Sequence, residues 1–193
     1  MNKIIIFFVG MTFILSNYQS KAQESETTPP VFITLSTGIN HTGLFGVGIE
    51  APLMDKLALF ADLGLGGWGG KAGAGLSFYP KSIRKGPGIN LAYYTASGSG
   101  NTAVDITLDN GDTIPVGFNR VGTINLSYSQ NWKMGKRGKF AFIAGYAFSA
   151  GNKTTSYTAF GELDDFAESL VGFLHPDGLI LGVKFMFGVG KMR

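Results

Sequence analysis

The sequence predicts an all-β fold: an eight-stranded antiparallel up-and-down transmembrane β-barrel, with one short extracellular helix in its last long loop. Three observations predict it. Segments of about ten residues alternate large apolar with small side chains, the period-2 pattern of strands with two unlike faces. The reverse faces carry Gly, Ala, Ser and Thr, where a water-facing sheet would carry Lys and Glu. Only 15% of the 193 residues are charged while 13% are aromatic and 29 are glycine; a soluble domain usually holds about 25% charged residues.

The chain opens with Lys3, then an apolar run from Ile4 to Leu15, then the small residues around Ser20-Lys21-Ala22. This is the order of a secretory signal peptide, and the run is too short to cross a bilayer of ~30 Å as a helix. The domain organisation expected is a signal peptide over 1–22, a periplasmic tail over 23–30 and the barrel over 31–190. Later apolar runs are interrupted by glycine and polar residues before ~18 positions, so strands rather than helices must do any crossing. No cysteine follows the apolar run, which excludes a lipoprotein anchor. The net charge of +3 is too small to point to nucleic acid.

Strand one is read over Val31–Ile39, with Val31, Ile33, Leu35 and Ile39 on one face. Strand two, about Leu44 to Ala51, sets Phe45, Val47 and Ile49 against Gly46, Gly48 and Glu50. Strand three, Leu57 to Leu65, sets its leucines against Ala58, Phe60, Asp62 and Gly64. Strand four, about Trp68 to Tyr79, sets Ala72, Ala74, Leu76 and Phe78 against Lys71, Gly73, Gly75 and Ser77. Strand five begins near Gly88 with Ile89, Leu91 and Tyr93 on its apolar face, and strand six ends near Ser129 with Ile124, Leu126 and Tyr128 on its own. Strand seven, Phe140 to Phe148, opposes its aromatics to Ala141, Ile143, Gly145 and Ala147. Strand eight, Gly178 to Gly190, sets Leu179, Leu181, Val183, Phe185, Phe187 and Val189 against Ile180, Gly182, Lys184, Met186 and Gly188. An even strand number lets the sheet close antiparallel, and closure leaves no unpaired edge to face lipid. Large aliphatic and aromatic side chains would overfill the lumen of so small a barrel, so the large face is expected outside.

The connections alternate. Residues 51–56, 80–86 and 131–138 are short turns, expected at the periplasmic end. Two long loops are expected outside, over 97–119 and 151–177. In the first, Asp109-Asn-Gly-Asp112 between alternating runs predicts a hairpin with a type I′ turn that extends strands five and six as a ribbon. In the second, Leu163, Phe166, Ala167, Leu170, Val171 and Leu174 recur at helical spacing. Acidic residues precede them and Pro176 follows. That predicts an amphipathic helix packed on the barrel mouth or on the first long loop.

Four charges point into the predicted lumen: Glu50, Asp62, Lys71 and Lys184. Unpaired charge in so narrow a space is costly, so they are expected to form a network, with Asp62 and Lys184 at the same depth. His41 and His175 fall near the outer rim and are expected to be solvated; the alternatives are a metal site with acidic neighbours, or an acyl-transfer site, which needs one of them within ~3 Å of a Ser or a carboxylate. No catalytic set and no metal motif such as His-Glu-x-x-His is present. The chain is therefore expected to be no enzyme and to need no cofactor. Gly46-Val-Gly48 precedes Pro52 and a strand, so it is not a dinucleotide fingerprint. Trp68, Trp132, Tyr79, Tyr146 and Phe148 sit near segment ends, where interfacial aromatics belong. Acidic residues gather in the predicted outer loops. Lys81, Arg84, Lys85, Lys133, Lys136, Arg137 and Lys139 gather at the turns and are expected to be solvated.

The alternation over 31–190 resembles the small eight-stranded Gram-negative outer-membrane barrels of OmpA, OmpX and OmpW type. The sharpest local match is Gly182-Val-Lys-Phe185-Met-Phe187, which resembles the C-terminal insertion signal of that class, so Gly182, Phe185 and Phe187 are assigned as the assembly signal. Ile180 stands where a polar residue is usual, and six residues follow Phe187 where many members end. The resemblance implies a bacterial outer-membrane location, a lipid-embedded monomer and recognition by the barrel-assembly machinery. It carries over no ligand or catalytic residue. The function expected is a structural or surface-interaction role carried by the two long loops. The alternative is binding or passage of a small apolar molecule through a lumen left open by its glycines.

Overall fold

The computed structural model describes residues 31–100, 102–151 and 156–190; the expected signal peptide and tail lie outside the described residues. Eight strands close a barrel: β1 (Val31–Ile39), β2 (Phe45–Met54), β3 (Leu57–Gly66), β4 (Gly69–Phe78), β5 (Gly86–Ala96), β8 (Val121–Met134), β9 (Gly138–Ser149) and β11 (Gly178–Val189). Each pairs antiparallel with its neighbour. The wall closes where β1 meets β11, from Val31↔Val189 to Ile39↔Leu181. Three further strands lie outside the barrel: β6 (Val104–Thr107), β7 (Thr113–Phe118) and β10 (Tyr157–Ala159). One helix, α1 (Asp165–Leu174), precedes β11. No helix of the described residues is long and apolar enough to cross a membrane.

The strand faces divide as the alternation requires. Ile33, Leu35, Val47, Ile49, Leu59, Leu63, Leu91, Leu126 and Phe187 are exposed on the outside of the barrel, while Phe32, Thr34, Glu50, Phe60, Asp62, Tyr94 and Lys184 are buried within it. The protein thus turns its large apolar side chains outward and its charges inward. A band of that kind around a closed sheet is the reverse of a water-soluble barrel.

The two ends of the barrel are built differently. At the short-turn end, the β4–β5 segment folds under the opening. Ile83 and Arg84 are buried there, and Arg84 Nη2 donates to the carbonyls of Gly135 and Gly138 in the β8–β9 turn, at 3.0 and 3.3 Å. Arg84 is therefore a strut across the barrel end, correcting its expected place among the solvated turn charges.

At the other end, β6, β7 and β10 form a separate sheet in the order β10-β7-β6. The expected ribbon is present as a hairpin, but it is not continuous with the barrel. β5 stops at Ala96, and Asn119 and Arg120 separate β7 from β8. The hairpin turn also differs from expectation. Gly111 N donates to Leu108 O at 3.0 Å and only Gly111 takes a positive φ, of 89°. That is a type I turn closed by a left-handed glycine, since a type I′ turn would need Asn110 left-handed too.

α1 packs against both the hairpin and the barrel mouth. Ala167 and Val171 join Trp68, Ile106, Val116 and Phe118 in one apolar cluster. Asp164 caps the helix: its side chain accepts the Ala167 N–H at 2.8 Å, and its second oxygen accepts the Asp109 N–H at 2.7 Å. One carboxylate so ties the helix start to the hairpin turn. Those two backbone hydrogen bonds, Asp109 first, hold its carboxyl below the usual aspartate range. Trp68 lies in this cluster, 3% exposed, with Nε1 donating to Asn119 O at 2.9 Å. It is a core residue of the cap, which corrects its expected place among the interfacial aromatics.

Candidate functional site in the barrel lumen

The lumen is stacked in three polar layers. The middle layer centres on Asp62, from β3. Lys184 Nζ, from β11, lies 3.0 Å from its Oδ2 and 3.3 Å from its Oδ1. Tyr94 OH donates to Oδ2 at 2.9 Å and Thr34 Oγ1 donates to Oδ1 at 3.2 Å. Lys184 also stands over the Phe60 ring, 4.9 Å from its centroid. The carboxylate is 1% exposed and the lysine 5%. Burial of this kind is tolerated only where nearly every lone pair and proton has a partner.

The layer nearest the short turns centres on Glu50. Lys139 Nζ reaches Glu50 Oε1 at 2.6 Å, and Tyr79 OH donates to Oε2 at 3.0 Å. Lys139 also donates to Ile83 O at 2.9 Å and to Tyr79 OH at 3.1 Å. It is completely buried, at 0% exposure. This corrects two expectations. Lys139 is no solvated turn charge, because Gly138 starts β9 and the parity that turns Ala141 and Ile143 inward turns Lys139 inward as well. Tyr79 is no interfacial ring but follows β4 as an inward position.

The layer nearest the long loops is uncharged but for Lys71. Lys71 Nζ donates to Asn40 O at 2.9 Å, and Asn125 Nδ2 donates to the same oxygen at 3.1 Å. Lys71 thus meets a carbonyl and the Tyr94 ring, 5.1 Å from its centroid. The four expected charges therefore fall into three groups: Asp62 with Lys184, Glu50 with Lys139, and Lys71 on backbone. His41 is buried beside this layer, with Nδ1 3.1 Å from Thr42 Oγ1, which lies 2.5 Å from Ser36 Oγ.

Small residues make room for these groups. A side chain at Gly48 would strike the Asp62 carboxylate, one at Gly73 would strike the Tyr94 ring, and one at Gly46 would strike Thr42 and Ser36. The glycines thus shape seats for side chains from neighbouring strands. Among the described residues, a lumen cavity of about 20 Å³ is bordered by Asn125, Ser127, Ser129 and Asn131 on β8, enough for about one water molecule.

His175, the C-cap of α1, is buried as well, which corrects its expected solvation. Its Nδ1 is 2.6 Å from Asp177 Oδ1, and its ring meets Trp68 edge-on with centroids 5.0 Å apart. The Asp177 contact supplies the carboxylate an acyl-transfer site would need, while the His175 Nε2 is buried with no hydrogen-bond partner among the described residues. Among the described residues, no cluster of three or more His, Cys, Asp or Glu side chains could hold a metal ion. Of the residues expected to form an assembly signal, Phe185 and Phe187 stand outward at 40% and 53% exposure, and Gly182 faces inward opposite Gly38. Comparison with models of known protein families gives no match, and no curated protein matches the chain.

Proposed function

We propose that the chain is a bacterial outer-membrane barrel protein, of the OmpA, OmpX and OmpW pattern, whose role is structural or surface-interaction. One observation carries this reading. The closed sheet exposes Leu63 at 62%, Leu65 at 67% and Phe45 at 76% around its outside and keeps Asp62, Glu50, Lys139 and Lys184 within. In water that arrangement would leave a large apolar surface wet; in a bilayer both faces are satisfied. The Gly182, Phe185 and Phe187 pattern on the last strand supports recognition by the barrel-assembly machinery.

The cap is the part that would meet a partner, because it stands beyond the apolar band, seated on the barrel mouth through one apolar cluster. The filled lumen speaks against passage of a small molecule. The role we propose is also non-enzymatic. Heat-modifiable migration on a detergent gel, with protease added to intact cells, tests the reading. A folded, faster-migrating species and cleavage confined to residues 97–119 and 151–177 are expected. Migration that heat does not change, or cleavage at residues 80–86 in intact cells, would overturn it.

A further inference from the structure

The outer wall has a notch at the short-turn end. Gly138 is an outward position, since Lys139 beside it points into the lumen. It pairs with Met134 on one side and Phe187 on the other. Both stand out from the wall, and Gly138 puts no side chain between them, so a groove of about 380 Å³ opens there. One step along the same three strands, the next outward row is Trp132, Phe140 and Phe185. Their ring centroids lie 5.6 and 4.9 Å apart, which makes a continuous aromatic shelf.

On the other side of the notch is the β8–β9 turn, with Lys136 and Arg137 exposed and no acidic residue between Trp132 and Gly138. Gly188 N donates to Arg137 O at 2.9 Å and ties this turn to β11. From the barrel end inward, the surface therefore runs from cations to an apolar notch to aromatic rings. That is the order of an anionic lipid: phosphate, glycerol and first methylenes, chain. The other short turns lack the set: Lys56 adjoins Asp55, and Lys81 and Lys85 are exposed in the β4–β5 segment but, among the described residues, have no stacked aromatic row like that of Trp132, Phe140 and Phe185 beside them.

We infer that this rim binds one anionic phospholipid of the inner leaflet. Its phosphate lies between Lys136 and Arg137, and the start of one acyl chain lies in the Gly138 notch against the shelf. The inference rests on the membrane reading above. The notch is flanked by Met134, Phe185 and Phe187 and continues the outward apolar band, which favours a lipid over an anionic sugar or peptide.

Trp132 reports on the site from within it. The protein, reconstituted into phosphatidylcholine vesicles, is titrated with phosphatidylglycerol, and either lipid carries bromine on its tails to quench tryptophan. Trp68, buried in the cap, supplies a constant background. Brominated phosphatidylglycerol is expected to quench Trp132 at a lower mole fraction than brominated phosphatidylcholine. K136Q/R137Q should weaken that preference about fivefold or more, while K56Q/K85Q, which also removes two rim cations, should leave it. Equal quenching by both lipids, or equal loss in both variants, would overturn the site and leave the membrane reading standing. Quenching by neither lipid would instead remove the membrane reading itself.

Discussion

The barrel and the cap of this protein partition their residues in opposite senses. In the barrel, Phe32 and Tyr94 share the interior with Asp62, Glu50, Lys139 and Lys184, while Leu63, Leu65 and Phe45 are outside. In the cap, Trp68, Val116, Phe118, Ala167 and Val171 are inside, and Asp105, Asp109, Glu162 and Glu168 are at the surface. Both regions are read from period-2 or period-3.6 alternation, yet the pattern assigns residues only to faces. Which face is the interior follows from volume: an eight-stranded lumen has no room for large side chains on every strand, whereas a sheet under a helix does.

The largest effect expected from breaking that contrast is at the buried charge pairs. Lys184→Met leaves Asp62 buried with only Tyr94 and Thr34 as donors, and should cost ~3–5 kcal/mol in folding stability. Adding Asp62→Leu should recover much of the loss, since the pair is then replaced by apolar volume. Reversible urea unfolding in detergent micelles, followed by gel mobility, measures both. A double variant no more stable than the single one would mean that Asp62 organises the lumen beyond its pairing with Lys184.

Trp68→Ala attacks the cap instead. It removes the largest side chain of the apolar cluster together with the hydrogen bond to Asn119 O, at a cost of ~3 kcal/mol. The loss should be local, because β6, β7 and β10 are a sheet apart from the barrel. Faster proteolysis within residues 97–119 and 156–177 is expected, with the heat-modifiable shift of the barrel unchanged. If that shift is lost as well, cap and barrel fold as one cooperative unit and the contrast is weaker than drawn.

A smaller effect tests the glycine seats. Gly73→Ala would push its Cβ into the Tyr94 ring and against the Tyr93 carbonyl. Overpacking of that kind costs ~1–3 kcal/mol. Gly117→Ala, in the cap, meets little more than ordinary contact with Thr158 O at 3.9 Å and should be nearly neutral. Equal costs at the two sites would show that the lumen relaxes as easily as the cap.

The alternation made the eight barrel strands legible, together with the Asp62–Lys184 contact and the helix. Lys139 escaped because Gly-Lys-Arg-Gly-Lys looks like a turn. Only its parity with Ala141 and Ile143 marks it as an inward residue, and that signal was available. β10 gave no such signal: three residues hold no period, and Tyr157–Ala159 becomes a strand only by pairing with Val116–Phe118, some forty residues earlier in the chain. Trp68 and Tyr79 were legible as aromatics near strand ends, but the same position serves an interfacial ring, a cap core or a lumen. The glycines announced missing volume without saying what filled it, since Tyr94 and Thr42 arrive from other strands or loops.

The smallest effect expected separates cap from barrel by pH. The Asp164 carboxyl is held below its ordinary value by the N–H groups of Asp109 and Ala167. A carboxyl lowered on folding contributes stability that is fully present above its unfolded pKa of about 3.9 and is lost as pH falls through the lower folded value. The ionised form also meets the positive end of α1, which favours it further. Amide hydrogen exchange, corrected for its intrinsic pH dependence, should show Asp109 and Ala167 losing protection as pH falls below about 4, while amides of β3 and β11 keep theirs. Asp164→Asn keeps an acceptor at the helix start but no titratable charge, so its exchange profile should be flat over the same range. A variant profile that still falls with pH would place the acid-sensitive group elsewhere in the cap, with the His175–Asp177 pair as the next residues to replace.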